Sequence, residues 1–255
     1  GVNHISIVGQ MDEGILREDV EGTTVLTIHA PAFRNSCSVE MRQLLLAHLR
    51  EGSETSTCRA IVLTGSGGNF CSGGRLPGDE AQPDPERTRR NVGILQDIVR
   101  ILHSGPKPSI AAVEGVAYGA GLSLAVACDH VVAGEGARLC ASFGKVGLMA
   151  DAGIAWTLPQ RVGGARARNL LLSAREVRGE EALAMGLLDQ LVSKGSARET
   201  ALATAGGYSR VAPLALAAIK RVLGNGNNSL DAVLAAEAEE QPRLTLSQDY
   251  AEGRA

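Results

Sequence analysis

The chain has 255 residues, 44% of them hydrophobic and only 3% aromatic, with a formal net charge of −3. That apolar content supports one large folded domain and excludes a disordered chain. The charge balance gives no basis for nucleic-acid binding. The 31 glycines imply many tight turns and close backbone approaches.

In chain order, "GVNHISIVGQ" precedes Met11 and reads as a tag or extension (1–10) outside the fold. "ILREDVEGTTVLTIHAP" predicts two strands around a turn at Glu21-Gly22. "SVEMRQLLLAHLREG" predicts a helix capped by Ser38 and ended by Gly52. "RAIVLTGSG" is a buried strand entering a glycine turn, and apolar spacing predicts a helix from Glu86 to about His103. "KPSIAAVEG" is a strand, "GAGLSLAVACD" opens a helix and "HVVAGEGARLCA" returns to strand character. Strands and helices alternate, which argues an α/β fold. From about Gly164 to Val222 the pattern is helical, and the alanine- and glutamate-rich end suits a helix packed on a neighbouring subunit or in solvent. The division is a core over 11–195 and a helical region over 196–255.

Cys37, Cys58, Cys71, Cys128 and Cys140 show no CxxC spacing, and the five histidines form no ligand-spaced cluster. The expectation is reduced core thiols, a cytoplasmic protein and no metal site. "SIAAVEGVAYGAGLSLAVACD" is broken by Glu114 and by glycines, so it predicts no membrane span.

Two glycine loops follow buried strands. The first, Gly65 to Asp79, fits neither a P-loop nor a GxGxxG pattern, so alone it reads as a tight turn. The second, Glu114 to Ala125, opens a helix whose N-terminus offers unpaired N–H groups. If both loops point at one spot, two backbone N–H groups could hold one oxygen as an oxyanion hole.

"FCSGG" followed by "KPSIAAVEGVAYGAGLSLAVACDHVVAGEGARLCASFGKVGLMADAGIAWTLPQRVG" resembles the enoyl-CoA hydratase/isomerase family, the crotonases, over roughly Ile15 to the C-terminus. "FGKVGLMADAGIAWTLPQRVG" is most similar to the 1,2-epoxyphenylacetyl-CoA isomerase branch of phenylacetate catabolism. The resemblance implies a spiral of ββα repeats with a C-terminal helical trimerisation region, in a homotrimer or dimer of trimers. It implies an acyl-CoA thioester as ligand, with coenzyme A belonging to the substrate and no separate cofactor. It places the oxyanion donors at the N–H groups of Gly74 and Ala120, with Cys71, Ser72, Gly73 and Gly119 alongside the ligand and Arg34 at the CoA phosphates.

Hydratases of the family use two glutamates, and the corresponding positions here hold Ser123 and Phe143, both expected against the substrate. Neither can act as an unaided acid or base. Asp151, in "GLMADAGIAW", is the remaining carboxylate. Apolar surroundings would raise its pKa and suit it to carry a proton between two carbons of an acyl group. The same Asp could instead cap a helix starting near Ala152. The implied activity is isomerisation; hydration, thioester hydrolysis with a water near Ser123, and a non-catalytic acyl-CoA-binding role are the alternatives.

The chain departs from the family at four points. Ala150 stands where the family has Pro, Arg75 where it has an acid, and Glu114 where it has Asn. The end, "DYAEGRA", stops where relatives often continue with a helix bearing a CoA-contacting lysine. Arg75 and Lys145 read as solvated, Glu114 as locally paired, Trp156 as core and Asp129 as a turn or cap residue.

Overall fold

The computed structural model describes residues 6–10, 12–76, 78, 82, 84–225 and 229–254. Residues 1–5, Met11 and Asp79, which enter the sequence reading, lie outside the described residues. Ser6–Gln10, read as outside the fold, form strand β1 at the edge of the main sheet, antiparallel to β2 (Glu13–Val20) with Gln10 opposite Glu13. Ile7 and Val8 supply the β-branched character that the sequence reading set aside.

β2 and β3 (Thr23–His29) form the expected hairpin. Its turn residues Glu21 and Gly22 both have positive φ, 48° and 81°, the geometry that matches the twist of paired strands. From β3 onward the sheet is parallel, through β4 (Ala60–Gly65), β5 (Ser109–Val113), and the strands that follow.

Helix α1 (Val39–Glu54) connects β3 to β4, and the Ser38 hydroxyl accepts the Met41 N–H as predicted. Gly52 does not end it: with no side chain, it lies inside the last turn, buried against Ile61 and Cys58. Helix α2 (Pro85–Ser104) connects β4 to β5, capped by Asp84, and buries Leu95, Ile98, Val99 and Leu102. β6 (Val116–Tyr118) precedes α3 (Ala120–Ala127), a helix in which every residue is buried. β7 (His130–Gly134) pairs with β5, and β8 (Arg138–Cys140) pairs in parallel with β6.

Each turn of chain thus lays down one strand of the main sheet, one short second-layer segment and one helix. The second layer is visible before β6: Cys37 bridges Gly74 and Cys71 bridges Ala117, both in parallel. The result is the predicted spiral of ββα turns. Right-handed crossovers between parallel strands stack successive second-layer segments on one another.

The remainder comprises α4 (Ile154–Val162), α5 (Gly164–Ser173), β9 (Glu176–Arg178), α6 (Gly179–Ala184), β10 (Gln190–Val192), α7 (Ala197–Tyr208), α8 (Pro213–Gly224), α9 (Leu230–Leu244) and α10 (Gln248–Gly253). Sequence reading made this stretch all helical. Two strands of three residues interrupt it, each too short to show a period: β9 pairs antiparallel with β8, and β10 parallel with β7. The main sheet therefore has order β1-β2-β3-β4-β5-β7-β10.

One core lies between this sheet and α1, α2, α3 and α4. A smaller one forms on the other face, where Ala197, Ala201 and Ala205 of α7 pack on Val25, Val62, Ile110 and Val132. Alanines at that spacing let the helix sit close to the strands. All five cysteines are buried and unpaired.

Asp129, read as a turn or cap residue, pairs with the buried Lys220. Lys220 of α8 donates to Asp129 at 2.6 Å, and also to Leu102 O and Lys107 O, each at 2.7 Å. Asp129 also accepts the Ser109 N–H at 2.7 Å. Burial pushes the Lys220 ammonium down, and Asp129 pulls it back up. The pair joins α8 to the start of β5 and the end of α3. Lys220→Ala strips several buried acceptors of their donor at once. We expect it to lower unfolding free energy by about 2–4 kcal/mol, measured by urea denaturation.

Candidate active site

The first glycine loop is held by residues upstream of α1. Arg34 and Asn35 both have positive φ, 49° and 58°. The wholly buried Asn35 side chain donates to Ser66 O at 2.8 Å and Asn69 O at 2.6 Å, and accepts the Ala30 N–H at 2.9 Å. Sequence reading passed over Asn35, although Asn tolerates the left-handed region and bonds local backbone. The loop then runs beside β6: Cys71 N–H donates to Val116 O, and Tyr118 N–H to Cys71 O.

That pairing presses the two loops together. A Cβ on Gly73 would lie 3.1 Å from Tyr118 O and 3.8 Å from Ala120 N. A Cβ on Gly121 would overlap the Cys71 carbonyl. Gly119, at φ 51°, directs the chain into α3. Among the described residues, neither the Gly74 N–H nor the Ala120 N–H has an acceptor, whereas their neighbours Cys37, Arg75, Tyr118 and Gly119 all do. Two unspent donors thus sit on adjoining loops, and one of them is at the positive end of a helix.

Asp151 does not cap a helix. Helix α4 starts at Ile154 behind Gly153, which has φ 71°, and no side chain caps it. Asp151 Oδ1 is buried with no hydrogen-bond partner among the described residues. Burial pushes its carboxyl above the usual range, and the field of Arg42 opposes this. The Asp151 backbone is fixed to α3, because the Ser123 hydroxyl lies 3.1 Å from Asp151 O.

Ser123, expected against the substrate, serves as an anchor in this structure. It is wholly buried, with Gly119 O at 3.3 Å and Asp151 O at 3.1 Å as acceptors for its one hydroxyl proton. Phe143 is also buried, its ring 3.9 Å from where a Gly119 Cβ would stand, so hydrocarbon fills the second glutamate position. Cys71, expected alongside the ligand, turns its side chain inward. It is sealed from solvent, its backbone is spent on β6, and burial pushes its thiol up to about 11, so it supports the loop from beneath. Ser72 is half-buried and donates to Phe33 O at 3.1 Å, while its N–H donates to Arg34 O at 3.0 Å. The Arg34 side chain is exposed and makes no ion pair among the described residues.

Arg75 is not solvated. It pairs with Glu13 at 2.7 Å and lies 4.1 Å above the Phe33 ring, so it reaches back across the loop. Glu114 is locally paired, accepting the N–H groups of Gly195 at 2.9 Å and Ala197 at 3.2 Å at the start of α7. Lys145 is exposed. Trp156 is not core: it is 39% exposed and meets the His103 ring edge-on at 4.9 Å. These two rings line an open cleft of about 590 Å³ between α2 and α4, with Val99, Gly153 and Thr157. No candidate site residue lines that cleft.

One site residue was missed altogether. Arg42, in the first turns of α1, is 9% exposed, and its Nη2 occupies the space a Gly74 side chain would need. In the sequence it is one more polar residue of an amphipathic helix.

The ββα spiral, with two glycine loops pressed together at its centre, allows the whole chain to be placed. The profile of the family described as Enoyl-CoA hydratase/isomerase matches residues 18–255, and the protein belongs to that family. It is 39% identical over 91% of its length to a probable enoyl-CoA hydratase of Rhodobacter capsulatus, covering 90% of that protein. It is 34% identical over 95% of its length to the 1,2-epoxyphenylacetyl-CoA isomerase of Escherichia coli, covering 94% of it. Among solved structures, an enoyl-CoA hydratase from Polaromonas superposes with a TM-score of 0.87 at 34% identity, covering 94% of this chain and 95% of that one. The crotonase fold is thus established.

Two outcomes follow. Gly121→Ala forces the loops apart and is expected to cost about 1–3 kcal/mol in urea denaturation, with loss of acyl-CoA turnover. Asp151→Asn should raise the melting temperature at pH 7. A carboxyl whose folded pKa is raised destabilises the fold once it ionises. The penalty is absent below the ordinary Asp value of 3.8 and grows as pH rises through the folded value. Melting curves at pH 3 and pH 7 check the sign.

Proposed function

We propose that the protein is an acyl-CoA isomerase that shifts a double bond in an enoyl- or ring-type acyl-CoA, with Asp151 as sole acid and base. The observation that supports this most is the buried Asp151 Oδ1 without a partner, on a backbone tied to the helix that begins at Ala120. The N–H groups of Gly74 and Ala120 hold the thioester oxygen. The Asp151 carboxylate takes a proton from the carbon beside the thioester carbonyl. The electron pair moves through the carbonyl onto the oxygen, giving a dienolate. The same carboxyl, now protonated, returns the proton two carbons further along, and the pair collapses into the conjugated enoyl-CoA. Net composition is unchanged, and no co-reactant is needed.

Arg34, with its unpaired side chain, and the edge formed by Ser72, Gly73 and Gly119 take the CoA moiety. Coenzyme A enters as part of the substrate. Self-association runs through the C-terminal helices. α9 and α10 bury no residue, and Leu223, Leu230, Leu234 and Leu246 are exposed there. We read this as the face of a trimer or dimer of trimers.

Hydration is the second reading, favoured by the name of the Rhodobacter relative. It requires a second group to activate water, and the two positions hold a sealed Ser123 and the hydrocarbon of Phe143. The same sealing of Ser123 argues against hydrolysis through a water it holds. A purely binding role leaves the desolvated Asp151 without a use.

With a 3-enoyl-CoA as substrate, Asp151→Asn should lower kcat for isomerisation by roughly 10²–10⁴-fold. The wild-type kcat/KM should fall on the acid side with a midpoint above the ordinary Asp value of 3.8. Isomerisation that survives in Asp151→Asn, or crotonyl-CoA hydration faster than isomerisation in the wild type, counts against the proposal.

A further inference from the structure

Arg42 brings a charge into this site that the mechanism above does not use. Its Nε donates to Cys37 O at 3.3 Å. Its remaining N–H groups have no acceptor, and no carboxylate lies within ion-pairing distance, among the described residues. A guanidinium 9% exposed and without a counter-charge is costly to maintain. Most of the protein's other arginines with described contacts meet a carboxylate, including the half-buried Arg75 with Glu13.

The position of Arg42 is specific. One end, Nη2, takes up the side-chain space of Gly74, whose N–H is a candidate oxyanion donor. Among the described residues, Arg42 is also the charged side chain whose field opposes the effect of burial on the Asp151 carboxyl. It therefore stands against one of the two candidate oxyanion donors, with its charge acting on the carboxyl at Asp151. Gly74 has an ordinary backbone conformation, so its lack of a side chain is not explained by φ; it makes room for Arg42.

We propose that Arg42 is a specificity-determining residue, and that the acyl group this site takes carries an oxygen (hydroxyl, oxo or carboxylate) near the thioester, to which the guanidinium donates. The inference rests on the reading of Gly74 and Ala120 as the thioester clamp. A plain hydrocarbon chain would cover the guanidinium and leave its donors unmet. A site built around a buried polar group discriminates strongly against ligands that lack its partner. A carboxylate would satisfy two donors at once, because the guanidinium fork matches its geometry.

The test uses binding, so that it stands apart from turnover. Calorimetric titrations of the full chain compare butyryl-CoA with 3-hydroxybutyryl-CoA, acetoacetyl-CoA and succinyl-CoA, which share a four-carbon skeleton. At least one oxygen-bearing ligand should bind about tenfold or more tightly than butyryl-CoA, and which one does so identifies the oxygen. In Arg42→Met the ratio should fall to near one, while Arg42→Lys keeps part of it. Equal affinity for all four ligands in the wild type overturns the proposal, as does a ratio that survives in Arg42→Met. If Arg42→Met does not fold, the wild-type ratio and its reduction in Arg42→Lys decide. Isomerisation that persists in Asp151→Asn would remove the proton-transfer reading and leave this ratio untouched.

Discussion

Cys71 and β6 exchange backbone hydrogen bonds, Cys71 N–H to Val116 O and Tyr118 N–H to Cys71 O, and the site depends on that short ladder. It brings the end of one spiral turn against the start of the next. The contact is possible only because Gly73 and Gly121 present no side chain to the opposing backbone. With the loops in register, the N–H groups of Gly74 and Ala120 are left without an acceptor among the described residues. No side chain has to be recruited to make two donors; they remain because the other backbone groups are already paired.

Asp151 gains its character by subtraction as well. Two positions where family hydratases carry glutamate hold Ser123 and Phe143. Neither is idle: Ser123 fixes the Asp151 backbone to α3, and Phe143 packs over Gly119. The carboxyl is left in a setting that disfavours its charge, tempered by Arg42. Such a setting strengthens the carboxyl's hold on a proton relative to an Asp in water.

Much of this was legible in the sequence. The glycine loops, the alternating order, the Ser38 cap and the isolation of Asp151 all rest on local signals, namely spacing, turn chemistry and composition. The failures share a different cause. β9 and β10 have three residues each and show no period. Arg42, Arg75, Asn35 and the Asp129–Lys220 pair take their meaning from partners distant in the chain or from space vacated elsewhere. Arg42 is read correctly only once Gly74 is seen to lack a side chain for its sake. Trp156 was assigned to the core on residue type, yet its ring lies at the rim of a cleft.

The Lys220 ammonium has acceptors at Leu102, Lys107, Ser109 and Asp129. Those groups converge only after the end of α2, the start of β5 and the start of β7 have come together. Helix α8 has no complete docking site until three earlier turns of the spiral exist. Lys220 thus ties together groups 91 to 118 residues apart in sequence, the non-local kind of contact that slows folding. Any surface the C-terminal helices offer to a second copy is presented only by a chain whose spiral is already built.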